Sequence, residues 1–136
     1  MASQPAALHA ATIEDFTRNL ATVNQKIAAA ATAAGRDAGS VRLLPVTKTI
    51  DTDRLALAIA AGVDTLGENK VQEAQGKYEH FCEEFPHLRY AIIGPLQTNK
   101  AKFVAKFADE FHALDSLKLA ETLQRRLDLE DRTLEV

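Results

Sequence analysis

With 136 residues, 46% of them apolar and 26% charged, the chain has an ordinary globular composition and enough length to bury one core, which excludes disordered, collagenous and disulfide-scaffold proteins. A net charge of −3, with acids and bases interspersed, leaves no footprint for nucleic acid or an anionic membrane. The single cysteine, Cys82, the absence of a basic-then-apolar leader in MASQPAALHAAT and the lack of any apolar run near the roughly 20 residues that span a bilayer predict a cytoplasmic protein without membrane contact.

Ile13, Phe16, Leu20, Val23 and Ile27 recur at spacings of three and four between a capping Thr12 and Gly35, which predicts an amphipathic helix over 12–34. Val41, Leu43, Leu44 and Val46 form a short apolar run after Gly39-Ser40, read as a strand over 41–47. Asp51 to Ala61 is a helix with an acidic start and Gly62 at its end. A short strand over 63–66 leads into Gly67-Glu68-Asn69, and a helix runs from Lys70 to about Glu84. The pattern repeats with a strand at RYAIIG (89–94), a helix starting near Thr98 or Asn99, a strand at FHAL (111–114), a helix capped by Ser116 that runs to about Leu127, and a fifth strand opening in RTLEV.

Strands alternating with helices predict parallel βαβ units joined by right-handed crossovers. An open doubly wound sheet fits this length. A chain that stops at Val136 inside an apparent strand reads better as the first part of a parallel (β/α)8 TIM-type barrel, a fold of about 250 residues. Residues 1–136 are then the N-terminal half of one barrel domain, truncated at the fifth strand, with open edges that favour self-association.

In either architecture ligands gather at the C-terminal ends of the strands. That rim carries Lys48, Gly67-Glu68-Asn69, the run Gly94 to Asn99, and Asp115-Ser116. Lys48 shares parity with Leu44 and Val46; if those face a barrel interior, its amine is carried to the same mouth, partly desolvated, as a nucleophile able to form a Schiff base with a carbonyl. The alternative is an ordinary lysine reaching into solvent from a strand end. Glu68 and Asn69 either bond a ligand or form a turn and cap, and Thr98 or Asn99 in GPLQTNK has the same two readings. GPLQTNK is not a Walker-type phosphate loop. Lys100, Lys102 and Lys106 read as solvated surface. His9, His80 and His87 show no metal-ligand spacing, His112 reads as a structural residue, and Cys82 has no activating base.

Taken together and in this order, LLPVTKT, LGENKVQEA and IIGPLQTNKAK resemble the pyridoxal phosphate homeostasis protein family, from the first long helix to the end of the chain. The resemblance implies a barrel like the N-terminal domain of alanine racemase. It implies that Lys48 holds pyridoxal 5'-phosphate (PLP) as a Schiff base and that Asn69 lies near the cofactor. It further implies a non-catalytic carrier or buffer in intracellular PLP homeostasis, with PLP-dependent apoenzymes as recipients. The alternatives are a PLP-dependent enzyme such as an amino-acid racemase, which needs a second acid or base facing the cofactor, and a lyase that uses Lys48 directly on a carbonyl substrate. The family pattern places a histidine where this chain has Ala91 and often a tyrosine where it has Lys70. The loops that hold the cofactor phosphate in the family belong to its second half.

Overall fold

A computed structural model describes residues 10–136, and His9 lies outside them. The chain divides into two compact units, one containing the residues up to Leu44 together with Asp51–Val63, the other Pro45–Ile50 with Asp64–Val136.

The first unit is a pair of helices. Helix α1 spans Ile13–Ala33 behind a capping box, in which the Asp15 N–H donates to Thr12 Oγ1 (3.1 Å) and the Thr12 N–H to Asp15 Oδ2 (3.3 Å). It ends in a Schellman turn: the Arg36 N–H donates to the Ala31 carbonyl and the Gly35 N–H to that of Thr32, with Gly35 at φ 73°. Helix α2 spans Thr52–Ala60, capped by Asp51, whose side chain accepts from the Arg54 N–H. Arg54 ties the helices together, donating to the Ala10 carbonyl (3.1 Å) while its guanidinium stacks over the Phe16 ring.

The second unit is built on a parallel sheet. Strands β1 (Thr65–Glu68), β2 (Arg89–Ile92) and β3 (Glu110–Phe111) lie in that order, all parallel. Single bridges extend the sheet on both sides, Val46 beside Gly67 and Glu135 beside Glu110, again parallel. Every neighbour is therefore the next strand in the chain, with none of the order reversal that marks a doubly wound sheet. Helix α3 (Val71–Phe81) follows β1. A 3-10 turn (Thr98–Lys100) and helix α4 (Ala101–Phe107) follow β2, and helix α5 (Leu117–Glu130) follows β3.

Leu66, Phe81, Ile92, Val104 and Phe111 are fully buried, and α5 turns Leu119, Leu123 and Leu127 inward at helical spacing. Tyr78, Tyr90 and Phe107 form an aromatic cluster with ring centroids 5.3–5.9 Å apart. Arg132 closes the α4 end by donating to the Ala105 (2.8 Å) and Ala108 (3.1 Å) carbonyls, which have no helical partner.

Four predicted elements are corrected. The 41–47 strand reduces to the Val46 bridge, held by two backbone bonds, Thr47 N–H to the Gly67 carbonyl and Gly67 N–H to that of Pro45; Pro45 has no N–H with which to extend the ladder. The 63–66 strand begins at Thr65, because the Val63 N–H is taken by the Ala58 carbonyl in the turn that ends α2. Gly67 and Glu68 thus lie inside β1. The 111–114 strand is Glu110–Phe111, with the His112 N–H still donating to the Ile92 carbonyl. Neither Thr98 nor Asn99 caps the helix after β2: Gln97 and Lys100 occupy the cap positions, without side-chain bonds.

The fully buried Phe111 and the Tyr90 hydroxyl, buried without a hydrogen-bond partner among the described residues, set up contrasting substitutions. Phe111→Ala is expected to cost about 3–5 kcal/mol. Tyr90→Phe removes an unpaired polar atom and is expected to leave stability unchanged or raise it by up to about 1 kcal/mol. Urea unfolding of both variants checks the pair, and a large loss in Tyr90→Phe would show that the hydroxyl is bonded in solution.

Candidate functional site

Because all the strands of the second unit run parallel, their C-terminal ends form one edge. Lys48 and Asn69 each lie two residues beyond the paired Val46 and Gly67, at the C-terminal ends of adjacent strands. At this edge Val46 and Lys48 are exposed while Thr47 between them is buried, and Leu44 is half-buried like Leu43 and Pro45 on either side of it. Lys48 is therefore more open to solvent than the partly desolvated amine expected from its sequence position. Among the described residues its side chain takes part in no hydrogen bond or ion pair.

The segments after β1 and β2 approach each other backbone to backbone. A Cβ added at Gly94 would stand 2.4 Å from the Asn69 carbonyl oxygen, so only glycine fits. An open cleft of about 840 Å³ begins there, lined by Asn69, Lys70, Gly94, Leu96, Gln97 and Lys100 among others. Asn69 lines this cleft and Lys48 does not. Asn69 is also not a helix cap, since Lys70 holds the cap position of α3 without a side-chain bond.

Glu68, read above as a ligand contact or part of a cap, is neither. Its carboxylate is fully buried and paired with the buried ammonium of Lys77 on α3. Lys77 Nζ also donates to the Thr47 carbonyl (2.7 Å) and lies 3.5 Å from Glu73 Oε2. Glu73 in turn accepts the Thr49 N–H on both carboxylate oxygens, each at 3.0 Å. Burial pushes Glu68 above the ordinary glutamate value, and the Lys77 ammonium offsets this only in part. For Glu73, partial burial is outweighed by the Thr49 N–H and by Lys77, and its carboxyl is held below the ordinary value.

Glu73 and Lys77 were missed in the sequence because an acid and a lysine four apart on a helix read as a surface pair. The available signal was that Lys77 falls on the Val71, Ala74, Phe81 stripe, where a solvated lysine does not belong. His112 is exposed and contacts Glu110 (3.1 Å), and among the described residues no group of three or more His, Cys, Asp or Glu could hold a metal ion. No helix of the described residues is long and apolar enough to cross a membrane.

With this geometry in hand, comparisons with known proteins decide the family. The chain is 44% identical over 112 residues to the pyridoxal phosphate homeostasis protein of Escherichia coli K12, covering 82% of this chain and 48% of that one. The protein of the same name from Pseudomonas aeruginosa is 41% identical over 111 residues, covering 82% and 47%. The chain belongs to the pyridoxal phosphate homeostasis protein family. It spans about half the length of the curated relatives it matches. No family model matches it. Among solved structures, an unknown protein from Bifidobacterium adolescentis superposes with a TM-score of 0.80 at 34% identity, over 98% of this chain and 55% of that one. PipY of Synechococcus elongatus, solved with PLP bound, superposes with a TM-score of 0.68 at 35% identity, over 79% and 51%.

Gly94→Ala is expected to cost about 1–3 kcal/mol, since backbone rather than a flexible side chain must yield; an unchanged urea midpoint would mean that the two segments stand farther apart in solution. Stability from Glu73 is present above its unfolded value of about 4.3 and is lost as pH falls through the lower folded value, whereas ionising Glu68 opposes folding as pH rises through its raised value. The stability gap between the unaltered chain and Glu73→Gln should therefore narrow below about pH 4; a gap independent of pH would show that the charge of Glu73 does not matter to the fold.

Proposed function

We propose that this chain is the N-terminal half of a (β/α)8 PLP-binding barrel and that its protein binds PLP through Lys48, storing or delivering the cofactor in the cytoplasm without turning over a substrate. The observation that carries the reading is the placement of Lys48: an exposed primary amine, unpaired among the described residues, on the C-terminal edge of a consecutive parallel sheet.

The residues present fit the aldehyde end of the cofactor. Covalent attachment needs a reachable amine that is not engaged elsewhere, a condition Lys48 meets and the buried, ion-paired Lys77 does not. Lys48 would hold the cofactor through its amine, and the cofactor would supply an aldehyde with which that amine can form a reversible covalent bond. Asn69, two residues beyond the Gly67 that pairs with Val46, is assigned to the rim of the same site. The bond is reversible by hydrolysis, which suits a carrier, and PLP-dependent apoenzymes are the recipients in this reading. The non-catalytic role is supported by the names of the relatives, and PLP binding by the PLP found in PipY.

The test is to incubate the chain with PLP, reduce with borohydride and map the modified lysines by mass spectrometry. Saturable labelling confined to Lys48 and abolished in Lys48→Ala is expected, with stability changed by no more than about 0.5 kcal/mol because the site is exposed. Labelling spread over many lysines, and equal in Lys48→Ala, would overturn the assignment. Amino-acid racemisation that depends on Lys48 would replace the carrier by an enzyme.

A further inference from the structure

We propose that Glu73 is a positioning residue for Lys48, with Lys77 as its second point of attachment; the inference rests on the reading of Lys48 as the PLP anchor and goes beyond it. Lysine is a long, flexible side chain, so what a protein can set in advance is the backbone from which it leaves. Here that backbone is held on both sides. The residue before Lys48 gives its carbonyl to Lys77 Nζ at 2.7 Å, and the residue after it gives its N–H to both oxygens of Glu73 at 3.0 Å.

The clamp has a specific conformation to hold. Thr49 sits at φ 63°, a left-handed geometry that a β-branched residue adopts only when its surroundings impose it. Within the loop, Thr49 Oγ1 donates to the Lys48 carbonyl (2.6 Å) and the Ile50 N–H to the Thr47 carbonyl (3.2 Å), but these bonds do not anchor it to the rest of the unit. Glu73 and Lys77 supply that anchor from helix α3. The Thr49 N–H, aimed at a carboxylate, makes a charge-assisted bond, the stronger kind. On the other side, the Thr47 N–H and hydroxyl both reach the Gly67 carbonyl.

Glu73 is also the member that can be changed without disrupting the core. Its side chain is 31% exposed, and removing it leaves the buried Lys77–Glu68 pair intact. Glu73→Leu abolishes the acceptor; Glu73→Gln keeps one oxygen for the Thr49 N–H. The experiment reads two quantities in each variant of the full chain: hydrogen exchange of the Thr49 amide without PLP, and the rate of PLP attachment at Lys48 relative to the exposed Lys102, by borohydride reduction and peptide mapping. In Glu73→Leu, Thr49 exchange should rise and the relative Lys48 rate fall, each on the order of tenfold, the factor expected for losing one hydrogen bond to a charged group. Glu73→Gln should recover most of both. Unchanged Thr49 exchange would show that the clamp is absent and overturn the inference. Faster exchange with an unchanged Lys48 rate would make Glu73 merely structural, overturning the inference while the carrier reading stands. Absence of saturable PLP attachment at Lys48 in the unaltered chain would overturn the carrier reading itself, and the positioning role with it.

Discussion

A buried ammonium must be compensated where it lies, and the second unit is organised around meeting that need at Lys77. The cost of removing the charge from water is several kcal/mol even after relaxation, and a single carboxylate seldom offsets it. Lys77 has the buried carboxylate of Glu68, a second carboxylate on Glu73 and the carbonyl of Thr47. Those partners come from β1, α3 and the loop after the Val46 bridge, so satisfying one charge fixes three segments together. A well-packed apolar residue in place of Lys77 could stabilise the core as much, but it would not tether the loop that carries Lys48.

The sheet contributes the second constraint. Parallel strands in consecutive order send every loop that leaves a strand end to the same edge, and the pairing of Val46 with Gly67 sets which residues stand together there. Lys48 and Asn69 stand at adjacent strand ends for that reason.

Much of this was legible in the sequence, and what was not has physical reasons. Helices α1, α2 and α5 announced themselves because Thr12, Asp51 and Ser116 are caps whose side chains accept from the first-turn N–H groups. The helix after β2 was misread at its start because Thr98 and Asn99 have the chemistry of caps but sit inside a 3-10 turn. The β1 boundary was missed because Val63, apolar and β-branched, is claimed by the helix before it. Lys48 was singled out through the motif LLPVTKT and its parity with Leu44 and Val46. Glu68 was given the wrong partner, and Lys77 was not seen at all, because periodicity says which face a residue occupies and cannot say that two opposite charges meet on the buried one.

The contact between Gly94 and the Asn69 carbonyl bears on how this cleft can be altered. A position that tolerates no Cβ is closed to variation, since each of the other amino acids meets the same backbone atom at the same distance. Diversity in what the cleft admits has to enter at other positions of its lining, among them Lys70, Leu96, Gln97 and Lys100. Anyone shaping the cleft for a chosen ligand would spread a library over such positions and leave the glycine alone.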